Sequence, residues 1–189
     1  QLLGTAYQGW QVGDLGLDLE YTAQRAKLLL SGKGLRAVCT LEQGDHLEGQ
    51  LELNQALFHR DHINSLALSG NLKMVGRTSQ LEKIAAEGLL SHLALRQGGW
   101  EIRAADTLHF AYADQRLRCE PFSLHTPAGV LHLEGSAGQD LLAVEGHLAA
   151  LSLGSWSPTV TGTGQLNFFL GGTASHPELQ AQATLDQLL

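Results

Sequence analysis

The sequence predicts an all-β fold built on a mostly antiparallel sheet. Apolar residues recur at every second position, and polar or small residues stand between them. Because successive side chains of a strand point to opposite faces, each run describes a strand with one apolar and one polar side. The runs are Leu15-Leu17-Leu19-Tyr21, Leu51-Leu53, Leu66-Leu68, Leu93-Leu95, Leu108-Phe110-Tyr112, Leu131-Leu133, Leu142-Val144-Leu148 and Leu166-Phe168-Leu170.

Glycines mark the expected turns between these strands. They stand at Gly32-Lys33-Gly34, Gly44-Asp45, Gly98-Gly99, Gly138 and Gly171-Gly172. Short turns join neighbouring strands into hairpins, whereas parallel strands need a long crossover that is usually a helix. The sequence therefore indicates a meander, and without an evident linker it forms one segment over residues 1–189.

The segment 79–90 is compatible with either a helix or a strand. Thr78 to Glu82 resembles a capping box, and Leu81, Ile84 and Leu89 follow helical spacing. Gly88 weakens a helix, and the alternation resumes at Leu93. The fold class therefore includes at most one short helix at this place.

Composition and charge exclude several classes of function. Twelve Lys and Arg against nineteen Asp and Glu give a net charge of −7, which repels nucleic acid. The apolar stretches are far shorter than the roughly 20 residues of a membrane-spanning helix. The chain begins without Met and without a signal peptide, so we expect it to be a piece of a longer protein.

No residue pattern predicts catalysis, a metal site or a cofactor. His59 and His62 form the tightest group of potential ligands with Asp61, but positions 59 and 62 face opposite sides of a strand. Nucleophile elbow, phosphate loop and paired catalytic carboxylates are all missing from the sequence. The remaining histidines of the apolar runs are predicted on the polar face: His92, His109, His125, His132 and His147.

Two cysteines follow the apolar phase of their strands. Cys39 lies in the run Leu35 to Leu41, and Cys119 follows Leu117. Both are expected to be buried free thiols, and a disulfide between them stays open.

The apolar face itself is dominated by leucine, since the chain has only three Trp, three Tyr and five Phe. Branched aliphatic side chains suit acyl chains, which require exclusion of water but no directional bonds. An ordinary leucine-rich core explains the same pattern.

The C-terminal stretch from Gly164 to Ala181 resembles a repeat of TamB-like proteins, which are relatives of the AsmA-like envelope proteins. In that repeat an alternating strand ends in Gly-Thr and is followed by a short loop, Pro-x-Leu and another strand. Gly172-Thr173 and Pro177-Glu178-Leu179 match this arrangement, whereas Ala181 stands where the family often has glycine. The match covers less than a tenth of the chain, and the other strands and turns look similar.

The resemblance implies a curled, taco-like β-sheet that forms an open hydrophobic groove. TamB-like proteins are anchored in the inner membrane of diderm bacteria and cross the periplasm. They are linked to phospholipid movement and, with a barrel partner related to BamA, to outer-membrane protein assembly. This chain would then be a periplasmic segment without the anchor.

The function expected from this resemblance is non-enzymatic: the groove shields phospholipid acyl chains on their way between the membranes. The residues expected to line the groove are Leu51, Leu53, Leu66, Leu68, Leu93, Leu95, Ile102, Phe110, Leu131, Leu133, Val144, Leu148, Leu166, Phe168 and Leu170. Strand addition to client proteins and a purely structural spacer are the alternatives, and the open edges of such a segment can associate end to end. A carbohydrate-acting β-solenoid is disfavoured, because no cluster of acidic and aromatic residues is visible in the chain.

Overall fold

The computed structural model describes residues 2–7, 10–42, 45–61, 64–138, 140–152 and 162–188. In this part of the chain, fourteen strands form a single sheet and no α-helix is present. The predicted all-β class is confirmed. The strands are β1 (Leu2–Tyr7), β2 (Trp10–Tyr21), β3 (Arg25–Gly32), β4 (Leu35–Glu42), β5 (His46–His59), β6 (Asn64–Arg77), β7 (Ala85–Gln97), β8 (Trp100–Ala104), β9 (Leu108–Ala113), β10 (Arg116–Thr126), β11 (Gly129–Gly138), β12 (Leu142–Ser152), β13 (Gly162–Gly172) and β14 (Pro177–Leu188).

The sheet is an antiparallel meander in which neighbours in sequence are neighbours in space. β8 and β9 together occupy one position, because each pairs with both β7 and β10. β2 also meets β5 at Gln11 and His59, beyond the end of the β3–β4 hairpin. At the two ends, β1 pairs with β2 and β14 with β13, and no described ladder joins β1 to β14.

The segment 79–90 forms a strand from Ala85 onward. A single 3-10 turn at Leu81–Lys83 precedes β7, in which Gly88 pairs with Leu72 and Phe110. A Cβ at Gly88 would lie 2.6 Å from the carbonyl oxygen of Asn71. Close approach of the neighbouring strand therefore explains this glycine, and strand pairing overrides the local helical spacing.

The expected turn at Gly32-Lys33-Gly34 joins β3 to β4. Gly34 has a φ of 72°, and a Cβ there would lie 2.5 Å from the carbonyl oxygen of Asn54. The Asn54 N–H donates to the Gly34 carbonyl at 2.8 Å, which ties the turn to β5. Gly98 also lies in a turn, whereas Gly44 lies outside the described residues.

Irregularities in the ladders align into a crease that crosses the sheet from β5 to β11. On β5, Asn54 and Gln55 stand opposite Ser69 alone, and on β7 the residue Ser91 is extra. At the next strand position, the irregularity is the interruption at 105–107 between β8 and β9. On β10, Glu120 and Pro121 then stand opposite a single residue of β11. Each bulge bends its strand and increases the local twist, so aligned bulges turn the whole sheet along one line.

Hydrogen bonds across the crease replace those that the regular ladder loses. The N–H of Gln55, which has a φ of 52°, donates to Ser69 Oγ at 2.9 Å. The N–H of Ala105 donates to the Ser123 carbonyl at 2.8 Å. Pro121 has no N–H to contribute, which suits a bulge position.

Candidate functional site: the apolar face of the sheet

All fifteen residues predicted for the groove lie on one face of the sheet. Directly opposite residues of an antiparallel pair point to the same side, so the register can be followed from strand to strand. One row runs Leu17, Leu30, Ala37, Leu51, Leu72, Gly88, Phe110, Cys119, Gly135, Val144, Leu170 and Leu179. A second runs Ala56, Leu68, Leu93, and a third Leu124, Leu131, Leu148, Leu166 and Ala183.

The bulges keep the apolar phase where the sequence spacing breaks. Leu53 and Ala56 are three positions apart, which on a regular strand would place them on opposite faces. The extra residue of the β5 bulge restores the phase, since Leu53 pairs with Gly70 and Ala56 with Leu68. The same device on β10 keeps Cys119 and Phe122 on one side.

The same face holds apolar residues that the prediction omitted. They include Leu15, Leu17, Leu19, Leu28, Leu30, Met74, Leu72, Leu90, Leu108, Phe122, Leu124, Leu179 and Leu185. Strict alternation from Leu15 to Leu19 was visible in the sequence and could have identified that group. The sequence did not reveal that Phe122 and Leu124 share this face, because the bulge at Pro121 shifts the alternation of side chains along β10 by one residue.

Little protein covers this face. Of the fifteen predicted residues, Leu148 is buried and the other fourteen are half-buried. Only five hydrophobic residues of the described chain are buried: Leu15, Ala56, Ala128, Leu148 and Leu151. The accessible surface is 12401 Å² for 20.3 kDa, against ~8,800 Å² for a compact monomer of that mass. The sheet therefore leaves much apolar surface in contact with water.

Exposure is greatest on strands near the two ends of the sheet. On β2, Leu19 is 69% and Tyr21 77% exposed, and on β14 Leu179 is 67% exposed. Residues of the central strands shield one another more than these do. The apolar face is thus continuous across the sheet and least covered at both margins.

Large side chains lie over glycines on this face. A Cβ at Gly88 would come within 2.7 Å of Phe110 Cζ, and one at Gly49 within 2.8 Å of Met74 Cε. In each pair the two residues are direct cross-strand partners, and the large side chain covers the glycine. Such pairing fills the gap that a missing side chain leaves and supports strongly twisted sheets.

Cys39 and Cys119 are free thiols on the apolar face, and both are half-buried rather than fully buried. They lie on β4 and β10, which are separated in the sheet by four strand positions. Burial raises the pKa of the Cys119 thiol, because the apolar surroundings disfavour the thiolate. The disulfide left open by the sequence is therefore not formed.

The opposite face carries charged and polar side chains. Arg36 lies 3.7 Å from Glu52, and Glu101 contacts both Arg103 at 2.9 Å and Arg96 at 3.5 Å. The hydrogen bond from Arg103 holds the pKa of the Glu101 carboxyl below its ordinary value. Such exposed pairs add little stability, and they keep this side of the sheet hydrated.

The five histidines of the apolar runs lie on the polar face as expected. His92, His109, His125 and His132 are exposed, whereas His147 is half-buried. Among the described residues, no group of three or more His, Cys, Asp or Glu side chains could hold a metal ion. His62 of the sequence cluster lies outside that part of the chain, and Asp61 accepts two hydrogen bonds from Asn64.

The segment that carries the family resemblance is a tight hairpin between β13 and β14. Gly172 ends β13 with a φ of 81° and pairs with Pro177, the first residue of β14. Thr173 and His176 exchange backbone hydrogen bonds of 3.1 Å, and Thr173 Oγ1 accepts a second one from the His176 N–H. The expected order of strand, Gly-Thr, short loop, proline and strand is present in three dimensions.

No helix in the described residues has the length and apolarity that crossing a membrane requires. Comparison with known proteins finds no matching family model, no similar curated protein and no similar solved structure.

Proposed function

We propose that the chain is a non-enzymatic lipid conduit whose apolar face shields phospholipid acyl chains during transport between two membranes. The carrying observation is the continuous apolar face, which spans the sheet and which no second layer of the described chain covers. A sheet normally buries such a face against another layer of protein. An acyl chain supplies the missing layer, because it excludes water without hydrogen bonding.

The shape of the sheet supports a groove. Sheets of more than ~10 strands usually curl or split into two layers, and this one of fourteen strands remains single. The crease adds a bend across the strands from β5 to β11. Curling toward the apolar side would produce the open hydrophobic groove that the resemblance to TamB-like proteins implies.

That resemblance also supplies the proposed setting. The segment would lie in the periplasm of a diderm bacterium, within a longer protein anchored in the inner membrane. At the outer membrane, a barrel protein related to BamA would be its partner. Leu-rich walls without polar anchors would hold a lipid loosely enough for it to slide.

Photo-crosslinking tests the conduit. A photoreactive residue at Leu133 or at Phe168 faces the apolar side, and one at Glu134 faces the polar side of the same strand as Leu133. We expect phospholipid adducts at the first two positions and none at Glu134. Equal labelling of both faces, or no lipid adduct at Leu133 and Phe168, would overturn the proposal.

A charged substitution separates conduit from structural spacer. Leu133→Arg and Val144→Arg place a guanidinium on the half-buried apolar face. If the face conducts lipid, circular dichroism and the melting temperature change little while the lipid adduct at Phe168 is lost. If the face serves only folding, both variants unfold.

Strand addition remains a second candidate, favoured by β14. This strand of twelve residues pairs with β13 along one side and with no other described strand along its outer side. Unpaired backbone groups on such an edge can pair with an extended client segment or with another copy of the chain. A photoreactive residue at Gln182 would then give polypeptide adducts, and the apolar-face positions would give no lipid.

A further inference from the structure

We propose that the polar face of β10–β14 holds a second binding site, a cleft that takes a neutral saccharide. The cleft has a volume of about 760 Å³ and extends from Asp106 and Pro121 at the crease to Gln180 and Gln182 on β14. Much of its lining forms one cross-strand row, Ser123, His132, His147, Asn167 and Gln182, on the side opposite the apolar face. Leu133 and Phe168 of the proposed lipid groove also belong to the lining, so the two proposed sites share this part of the sheet and lie on its opposite faces.

Phe169 provides an aromatic platform in this cleft. Its neighbour Phe168 follows the apolar phase, so Phe169 points to the polar face, where 37% of it is exposed. A Cβ at Gly171 would come within 2.7 Å of Phe169 Cε1, so the ring rests over this buried glycine. Glu145 and Gln180 stand directly opposite Phe169 on its two sides. The electron-rich face of an aromatic ring attracts the slightly positive C–H groups of a sugar ring.

Two histidines are held in place beside this platform. His132 Nδ1 lies 2.9 Å from Ser123 Oγ, and His147 Nδ1 lies 2.6 Å from Asn167 Oδ1. The imidazole rings stack with centroids 6.0 Å apart and planes 18° apart. Because a carbonyl oxygen can only accept, this contact is a hydrogen bond from His147 Nδ1–H to the Asn167 side chain. The polar groups are therefore ordered before a ligand arrives.

The carboxylates of the cleft determine which class of ligand it can bind. Glu134 and Glu145 stand directly opposite each other, and Asp106 adds a third carboxylate. No lysine or arginine is among the described lining residues of this cleft, although Arg116 and Arg118 line an adjoining hollow that shares both glutamates. No ion pair joins either arginine to them among the described contacts. Facing carboxylates repel each other and accept hydrogen bonds, so they favour a ligand rich in donors and exclude phosphates and acidic peptides.

A saccharide fits these groups better than an organic cation does. Hydroxyl groups both donate and accept, which matches the amides of Asn167, Gln180 and Gln182 as well as the carboxylates. An ammonium group would use the carboxylates alone and leave the amides and imidazoles without partners. A few convergent polar groups beside an apolar surface are typical of small-molecule sites.

Saturation-transfer NMR on the complete chain tests the site with four neutral probes: maltohexaose, cellohexaose, mannohexaose and N-acetylated chitohexaose. We expect at least one of them to bind with a dissociation constant below about 10 mM. Phe169→Ala and the isosteric Glu145→Gln should each weaken that binding at least about tenfold, which is a 1.4 kcal/mol change. Leu170→Met, on the apolar face of the same strand and outside the cleft lining, should leave it unchanged.

Circular dichroism of each variant confirms that the sheet is intact, and Glu145→Gln keeps the test valid if Phe169→Ala unfolds. Absence of binding by all four probes overturns the proposal. Binding that neither cleft variant weakens also overturns it, as does binding of spermidine in place of the saccharides.

Discussion

The ring of Phe168 lies over Gly146, its direct cross-strand partner on the apolar face. A Cβ added at Gly146 would come within 2.1 Å of Phe168 Cζ, closer than any real contact. The glycine is buried beneath the ring, which occupies the space that a side chain on β12 would otherwise fill. The central part of the apolar face therefore depends on a glycine and a phenyl ring acting as one unit.

Gly146→Ala should lower the free energy of unfolding by about 1–3 kcal/mol, because the added methyl group forces the ring out of its place. Urea denaturation measures this change. Gly99→Ala is the matched control, since a Cβ at Gly99 meets nothing within 4 Å. In the double variant with Phe168→Leu, the cost of the alanine should shrink, and fully additive costs would contradict the pairing.

The position of the apolar residues could be predicted because side-chain alternation is a local property of a strand. Leu131 and Leu133 share a face whatever their neighbours are, so the residues of the apolar face could be identified without knowledge of the pairing. The Gly-Thr to Pro-x-Leu hairpin was also predictable from its residue types. Glycine readily adopts the positive φ observed at Gly172, and the proline ring fixes φ at Pro177.

The crease and the polar cleft could not be predicted, because both arise from register. The bulges at Gln55 and Pro121 align only after the strands from β5 to β11, which occupy six positions in the sheet, have paired. Glu134, Glu145 and Phe169 are far apart in sequence and meet only across β11, β12 and β13. The absence of an acidic and aromatic cluster from the sequence therefore did not exclude one in the sheet.

Replacing Ala150 by glycine should stabilise the folded chain. It has a φ of 52° in the β12 bulge, where it and Ala149 stand opposite one residue of β13. A left-handed conformation costs an alanine about 1–2 kcal/mol, and the extra flexibility of an unfolded glycine costs about 0.5–1 kcal/mol. Ala150→Gly should therefore raise the free energy of unfolding by about 0.5–1 kcal/mol.

Ala149→Gly is the control for this change, because Ala149 pairs with Val130 and has no positive φ. It should lose about 0.5–1 kcal/mol of stability for the same substitution. Equal effects at both positions, measured by urea denaturation, would show that the conformation of Ala150 carries no strain.

The carboxyl group of Glu101 should titrate below the ordinary range of glutamate. The hydrogen bond from Arg103 is the main cause, and the charges of Arg103 and Arg96 add to it. A lowered folded pKa gives a contribution that is present above the unfolded pKa of about 4.3 and is lost as the pH falls through the folded value. Side-chain NMR titration should show the pKa rising in Arg103→Ala and unchanged in Lys27→Ala, whose ion pair joins Glu20 elsewhere. An unchanged Glu101 midpoint in Arg103→Ala would contradict the assigned cause.

The thiol of Cys119 should react slowly with iodoacetamide in the folded chain. Desolvation by its apolar surroundings raises the pKa of this thiol, so less of the reactive thiolate is present at a given pH. In a Cys39→Ala background, the rate against pH should have a higher midpoint in the folded chain than in 8 M urea. The same shift makes the folded state lose stability as the pH rises through the folded pKa, because the unfolded chain then releases its proton more easily.

A lipid analogue that covers the apolar face should slow the alkylation of Cys119 further. Coincident profiles of alkylation rate against pH for the folded and unfolded chains would instead show that Cys119 is open to solvent.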